Sequence, residues 1–436
     1  MIAAVRLVWH LRRQERAETA LPGTLAVTGF AVTTAALLVT LGGVGAFESR
    51  AQGESAGELG VTYVVLAYIA AVLLVVPVMT LGSVAARLTV SRRDARLATL
   101  RLAGATTGQV TTMTLTEQAV QAALGALIGS VLYGVLLFPL SLLSFQGRAL
   151  TPAELWVGPG LLLAVVAGVV ALAVLSGVLG LARVVVSPLG VVGRTTPRRL
   201  SVLRVAVPAV ILLVWIQGFG QLYQQGVGVV LALLAVVVMT VNLLGPFFVM
   251  LAGHIVARTA TTPATLLASR RIVDDPKATW RTVSALALGI LVAALSGVGE
   301  VLSRSAEADP EAMMLGRDIG TGSLVALAIL TVVAATSTGV VHAARVYDQR
   351  PQYRALAYAG TPTALLHRAR LREVTIPMAV TVVLGMTLPI LILVPLAGLM
   401  GPGVVVRTIV AVAAACALLV AGVLASRPLV DAAARL

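Results

Sequence analysis

The chain has 436 residues, of which 58% are hydrophobic and 11% charged, with a mean hydropathy of +0.99 and a formal charge of +14. Several apolar runs exceed 18 residues, which excludes a soluble globular domain and predicts an all-α polytopic membrane protein, because backbone polar groups in lipid must be satisfied within the chain. A single cysteine, Cys416, excludes a disulfide within the chain.

Taken in order, the first twenty residues set Val5, Val8 and Trp9 against Arg6, Arg12 and Arg13. They predict an amphipathic helix in the inner interface. The next apolar run, 21–46, is longer than the roughly 7–15 residues of a signal-peptide core and is read as a true first span. In all, ten spans are expected, at roughly 21–46, 61–86, 113–144, 155–182, 203–222, 227–255, 281–301, 319–343, 375–399 and 404–426. Prolines 77, 139, 246, 377 and 389 fall within spans and can kink them. Before the seventh span, Asp275-Pro276 predicts a break in an inner-surface helix. The outer segments 47–60 and 302–318 are short and rich in small residues, and are read as solvated and mobile.

Orientation follows from the basic residues. With the amino terminus inside, only Arg50, Arg148, Arg304, Arg317 and Arg407 of the 32 Lys and Arg face out. The basic excess is therefore a topology signal and does not point to nucleic acid. The expected layout is a four-helix unit with its interfacial helix (1–190), a two-helix hairpin (191–260) and a second four-helix unit (261–436), the two units being parallel repeats.

The repeat has a residue signature. Leu100, Ala103, Gly104, Leu115, Glu117 and Gly129 match Leu356, Ala359, Gly360, Leu371, Glu373 and Gly385, each 256 residues on. Each copy is a basic, leucine-bearing inner loop with a small-residue turn, running past one carboxylate into an apolar span. Two such loops in symmetric positions suit docking to a symmetric pair of soluble subunits. Glu117 and Glu373 sit about one turn into the inner end of their spans. A carboxylate there calls for a partner or a snorkelling route. The readings are a link to the inner loop through an arginine, proton carriage, or an acid that meets the positive end of a helix. Gln217 and Asn242 are read first as interhelical glue and second as contacts for a substrate, and Glu300 as an outer group that can meet a cation. Gly125 and Gly129 form a Gly-x-x-x-Gly step, whose usual meaning is close helix packing.

No catalytic, cofactor or metal site is expected. Gly53-Glu54-Ser55-Ala56-Gly57 has the spacing of a hydrolase elbow but lies in a short outer loop, whereas all four histidines fall near the inner face. No two histidines have metal-ligand spacing. The phosphate-cradling motif of an ATPase needs its lysine, and the one lysine, Lys277, follows Asp275-Pro276. ATP-driven work by this chain requires a partner subunit.

At Arg92, Arg93, Arg96, Leu97, Leu100, Arg101, Ala103, Gly104, Ala105, Thr106, Leu115 and Glu117 the chain resembles the FtsX-like permease family, membrane subunits of macrolide-exporter-class ABC transporters. The glutamate usual near the start of the basic run is replaced around Asp94-Ala95. In the second copy Arg354, Leu356, Ala359, Gly360 and Glu373 fit, and Thr361-Pro362 departs. The ten-span layout resembles bacitracin-export permeases without their large extracellular domain. The resemblance implies two copies of a separate ATPase, carrying ATP and Mg, docked under Arg96, Leu100, Arg101, Ala103, Gly104 and Ala105 and under Arg354, Leu356, Ala359 and Gly360. It implies a multi-pass protein of the bacterial plasma membrane that moves a hydrophobic or amphipathic compound, such as an antimicrobial, a peptide or a lipid, by mechanotransmission. The runner-up is a mechanotransmitting scaffold that controls an envelope enzyme or sensor kinase. An ion-coupled transporter is the third reading and lacks a midplane ionisable site.

Overall fold

A computed structural model describes residues 17–53, 59–91, 106–185, 227–305, 309–348, 352, 355–356, 358–393 and 402–424. Apart from one short hairpin, the regular structure among them is helical. The elements are α1 (Ala17–Ala51), α2 (Leu59–Ser91), α3 (Thr107–Ser141), β1 (Ser144–Phe145), β2 (Arg148–Ala149), α4 (Pro152–Leu155), α5 (Gly158–Val185), α6 (Val227–Thr259), α7 (Pro263–Asp274), α8 (Pro276–Ser305), α9 (Pro310–Asp348), α10 (Thr363–Leu393) and α11 (Pro402–Leu424). Among the described residues six stretches, within α1, α2, α3, α5, α6 and α9, are long and apolar enough to cross a membrane. The chain is an all-α, multi-pass membrane protein. The expected span 203–222 lies outside the described residues.

Local chemistry places the helix ends. The break at Asp275-Pro276 is present: α7 ends at Asp274, and Asp275 accepts from the Ala278 backbone N–H (3.0 Å) at the start of α8. Thr262 caps α7 with Pro263 in the first turn, where a missing N–H costs nothing. The outer segments are more helical than their composition implies. Helix α1 continues to Ala51, and the stretch 302–318 contains the end of α8 and the start of α9, with Asp318 buried.

The chain divides into two units. One comprises Met1–Val39, Val78–Leu136 and Val157–Arg199; the other comprises Thr40–Pro77, Leu137–Trp156 and Leu200–Leu436. The first unit packs the inner parts of α1, α2 and α3 with α5 around Ala26, Phe30, Ala85, Ala86, Ala122, Ala126, Val169 and Ala173. The core is mostly alanine because small side chains let helix backbones approach. A Cβ on Gly125 would lie 2.7 Å from the Val27 carbonyl oxygen, and one on Gly129 would fall on the Ala31 carbonyl and Thr34. The Gly-x-x-x-Gly step is thus the contact of α3 on α1. Gln118, fully buried, donates from Nε2 to the carbonyls of Ala86 (3.1 Å) and Ala173 (2.8 Å), which ties α3 to α2 and α5.

In the second unit α8 is central, packed on α6, α9, α10 and α11. Its faces meet Val238, Leu327 and Leu330 on one side and Ala334, Ala415 and Leu419 on another. Gly385 of α10 rests on Ile290 of α8. Helix α7 buries Ala264, Ala268 and Ile272 against α6 and α10 and exposes Arg270, the pattern of a surface helix.

Candidate functional site

The inner end of the second unit assembles from α7, the turn before α10, and the first turns of α10. Gly360 stands at φ +80, in the left-handed region that glycine enters without a Cβ clash. It closes the turn: the Ala359 N–H bonds to the Ala355 carbonyl (3.0 Å) and the Thr361 N–H to the Leu356 carbonyl (2.9 Å). Pro362 then precedes the start of α10. The turn is presented outward, with Tyr358, Ala359 and Gly360 all exposed and Leu356 half-buried. Arg354 lies outside the described residues.

Two and a half turns into α10, Glu373 is buried and faces Arg271 of α7 at 3.7 Å. One residue earlier, Arg372 bonds to the hydroxyls of Thr262 and Thr265 at the other end of α7. So α10 grips the surface helix at both ends, and the exposed turn leads directly into α10. Further along α10, Gly385 packs on Ile290 of α8.

The corresponding carboxylate in the first unit, Glu117, accepts from Gln121 Nε2 (3.3 Å) one turn further along α3. Arg96, Leu100, Arg101, Ala103, Gly104 and Ala105 lie outside the described residues. Where α3 begins, Thr106 and Gln109 bond reciprocally: the Gln109 N–H to Thr106 Oγ1 (3.3 Å) and the Thr106 N–H to Gln109 Oε1 (3.0 Å). This is a capping box, and it sets the direction in which the chain leaves the loop.

A third assembly lies at the outer end, in the second unit. Residues 142–157 form a folded cap: the two-residue turn Gln146-Gly147, with φ of +56 and +72, joins β1 and β2, and Thr151 and Glu154 make a capping box on α4. Arg50, in the last turn of α1, is buried beneath it. Its Nε and Nη2 donate to both oxygens of Glu154 (3.1 and 2.9 Å), Nη1 to the Phe145 carbonyl (2.8 Å) and Nη2 also to the Ala149 carbonyl (2.9 Å). The Arg50 hydrogen bond holds the Glu154 carboxyl at about 2, with the Thr151 N–H and the charges of Arg50 and Arg148 acting the same way and burial opposing them. Across the cap, Asp318 Oδ2 of α9 accepts from the Gln146 N–H (2.7 Å) and from the Tyr63 hydroxyl of α2 (2.7 Å). Phe47 stacks on Tyr63 and meets Phe145 edge-on.

Residues 84–188, from the inner end of α2 past the end of α5, match the family model for the FtsX-like permease C-terminal domain. No curated protein and no solved structure matched the chain in parallel comparisons. FtsX-like permeases are membrane subunits that generally work with separate ABC ATPases.

The matched segment contains Glu117 and residues 92–105, which lie outside the described residues. The remaining expected residues lie elsewhere. Asn242 of α6 donates to the Val238 carbonyl (3.0 Å) and accepts from the Trp280 indole N–H (3.4 Å), so it joins α6 to α8, with the Trp280 ring lying across Gly245. Glu300 is in the last turns of α8, and Gln217 lies outside the described residues. The sequence reading missed Arg50, Glu154 and Asp318. A signal was present in Thr151-Pro-Ala-Glu154, a capping-box spacing one turn after the Gln146-Gly147 dipeptide.

Proposed function

We propose that this chain is the permease subunit of an ABC transporter, coupling ATP hydrolysis on a separate ATPase to export or membrane extraction of a hydrophobic or amphipathic compound. The observation that carries the reading is the FtsX-like domain at 84–188, which spans one inner loop and the helices it drives. The ten spans are two parallel four-helix units, 1–190 and 261–436, joined by the hairpin 191–260. Two contacts support that layout. Gly129 lies on Thr34, and Gly385 lies on Ile290; both members of the second pair are 256 residues beyond those of the first.

Two ATPase copies, with ATP and Mg bound to them, dock under the symmetric loops. One contact set is Arg96, Leu100, Arg101, Ala103, Gly104 and Ala105; the other is Arg354, Leu356, Ala359 and Gly360. The exposed turn at Tyr358–Gly360 supports this, since an apolar, rigidly closed turn on the inner side is a ready grip for a soluble subunit. Glu117 and Glu373 act as coupling carboxylates. The Arg271 contact supports that role for Glu373, because it joins the driven helix to the surface helix. ATP-driven movement reaches the outer face through helix displacement, and cargo is taken from the bilayer of the bacterial plasma membrane. Gln217, Asn242 and Glu300 are the polar groups offered to cargo along that path.

The test is co-purification of the tagged chain from its host, comparing wild type with an Ala103→Arg, Ala359→Arg double variant. Recovery of an ABC ATPase with wild type and its loss from a variant that still inserts in the membrane is the expected result. Equal recovery from both, or none from wild type in mild detergent, overturns the reading.

A further inference from the structure

We propose that the cap at 142–157 is an outer clasp, fixed to α1 by Arg50 and closed on α9 by Asp318, and that the outer end opens by release at Asp318. Its use in transport rests on the permease reading; the clasp itself does not.

The two attachments of the cap are built differently. Arg50 makes four hydrogen bonds to it, two in a fork on Glu154 and two to backbone carbonyls on either side of the turn. Four of the five guanidinium N–H groups are thereby used, in fixed directions, so the cap and the end of α1 move as one piece. The attachment to α9 converges on a single atom. Asp318 Oδ2 takes both the Gln146 N–H and the Tyr63 hydroxyl. One donor comes from the cap and one from α2, and both are lost together over a displacement of about 1 Å, because hydrogen bonds weaken steeply with distance. Such a joint is either made or broken, which is what a latch between two helix ends requires.

The backbone at the tip supports the same assignment. Gln146 is in the left-handed region at φ +56, where the described residues otherwise place only glycine. A side chain tolerates that conformation poorly, and here it aims the Gln146 N–H at Asp318. Gly147, next in the turn, sits beside Met314 of α9, one turn before Asp318. Tyr63 and Asp318 are both buried, so the joint is shielded from competing water.

The experiment needs no ATPase, so its failure is distinct from failure of the permease reading. In a Cys416→Ser background, spin labels are placed at Gln52→Cys and Glu311→Cys, exposed positions at the ends of α1 and α9. Distances between them are measured by pulsed electron resonance in lipid nanodiscs. The parent protein, the neighbouring Arg317→Ala and the acceptor-preserving Asp318→Asn are expected to give one narrow distance. Asp318→Ala is expected to add a longer population, and Tyr63→Phe a smaller share of the same population. A distribution for Asp318→Ala that superimposes on the parent overturns the clasp. Should Asp318→Ala fail to insert, Tyr63→Phe decides alone: a longer component supports release at Asp318, and a parent-like distribution overturns it.

Discussion

The outer and inner ends of the second unit each join distant segments through an arginine and a glutamate, and they do so in opposite styles. Outside, Arg50 meets Glu154 fork to fork at 2.9 and 3.1 Å, with the remaining geometry set by two carbonyls. Inside, Arg271 approaches Glu373 at 3.7 Å on the helix that follows a turn whose Tyr358, Ala359 and Gly360 are open to solvent. A charge-assisted fork defines one geometry; an ion pair 3.7 Å apart is less tightly specified. The outer pair is therefore a fixture and the inner pair a linkage.

The sharpest way to break the comparison is Arg50→Ala. It takes the buried guanidinium from the Phe145 and Ala149 carbonyls and leaves the half-buried Glu154 carboxylate to Arg148 and the Thr151 N–H, and each polar group deprived of its partner beneath the cap costs about 1–3 kcal/mol. Thermal unfolding in detergent is expected to show a large loss, with the cap lost first as read by protease access at 142–157. Glu373→Gln should give a smaller change in the same assay, because the amide has the shape of the carboxylate and keeps an oxygen to accept hydrogen bonds at the buried position. Equal losses would remove the distinction between fixture and linkage.

A second contrast lies in the glycines of α3 and α10. A methyl on Gly129 falls on the Ala31 carbonyl, which is backbone and cannot turn aside, whereas one on Gly385 meets the Cδ1 end of Ile290 at 3.0 Å. Gly129→Ala is expected to cost about 1–3 kcal/mol by overpacking. Gly385→Ala should cost less, since a side-chain end can shift. Paired melts of the two variants check the order.

A third contrast concerns pH. The Glu154 carboxyl is lowered from 4.5 to about 2 in the fold. Its contribution to stability is complete above the unfolded value and is lost as pH falls from about 4.5 towards 2. Melting points between pH 5 and 8 should thus be insensitive to Glu154→Gln relative to wild type in shape, with the two curves converging only under acid. A convergence near pH 6 would mean that Arg50 does not hold the carboxylate.

How much of this was legible beforehand depends on range. Apolar runs placed the long helices, and Gly125-x-x-x-Gly129 announced a close helix contact, because both are local patterns with a fixed period. Asp275-Pro276 likewise marked the break between α7 and α8. The Glu373–Arg271 contact was open among three readings, since a carboxylate near a span end carries no sign of which arginine it meets. The outer clasp was opaque. Arg50 and Glu154 are 104 residues apart, and Tyr63 and Asp318 are 255 apart. In the sequence Arg50 is one outer charge among five, and its burial follows only from the fold. Composition also misled: the small and acidic residues of 302–318 imply a solvated loop, yet that stretch includes helical turns of α8 and α9 because Gly299 and Gly316 let the two helices touch.

The central claim is that the inner turn is gripped by an ATPase. Tyr358 is 74% exposed beside Gly360 and accepts a photo-cross-linking amino acid without disturbing the packing. Illumination of host cells carrying the probe at Tyr358 should capture a protein with the phosphate-cradling motif of an ABC ATPase, and a probe at Leu163 on the exposed apolar face of α5 should not. Capture of that ATPase at Tyr358 alone is the predicted result. If the Tyr358 probe captures no such protein while the chain is present in the membrane, the account of this chain as a driven permease is contradicted.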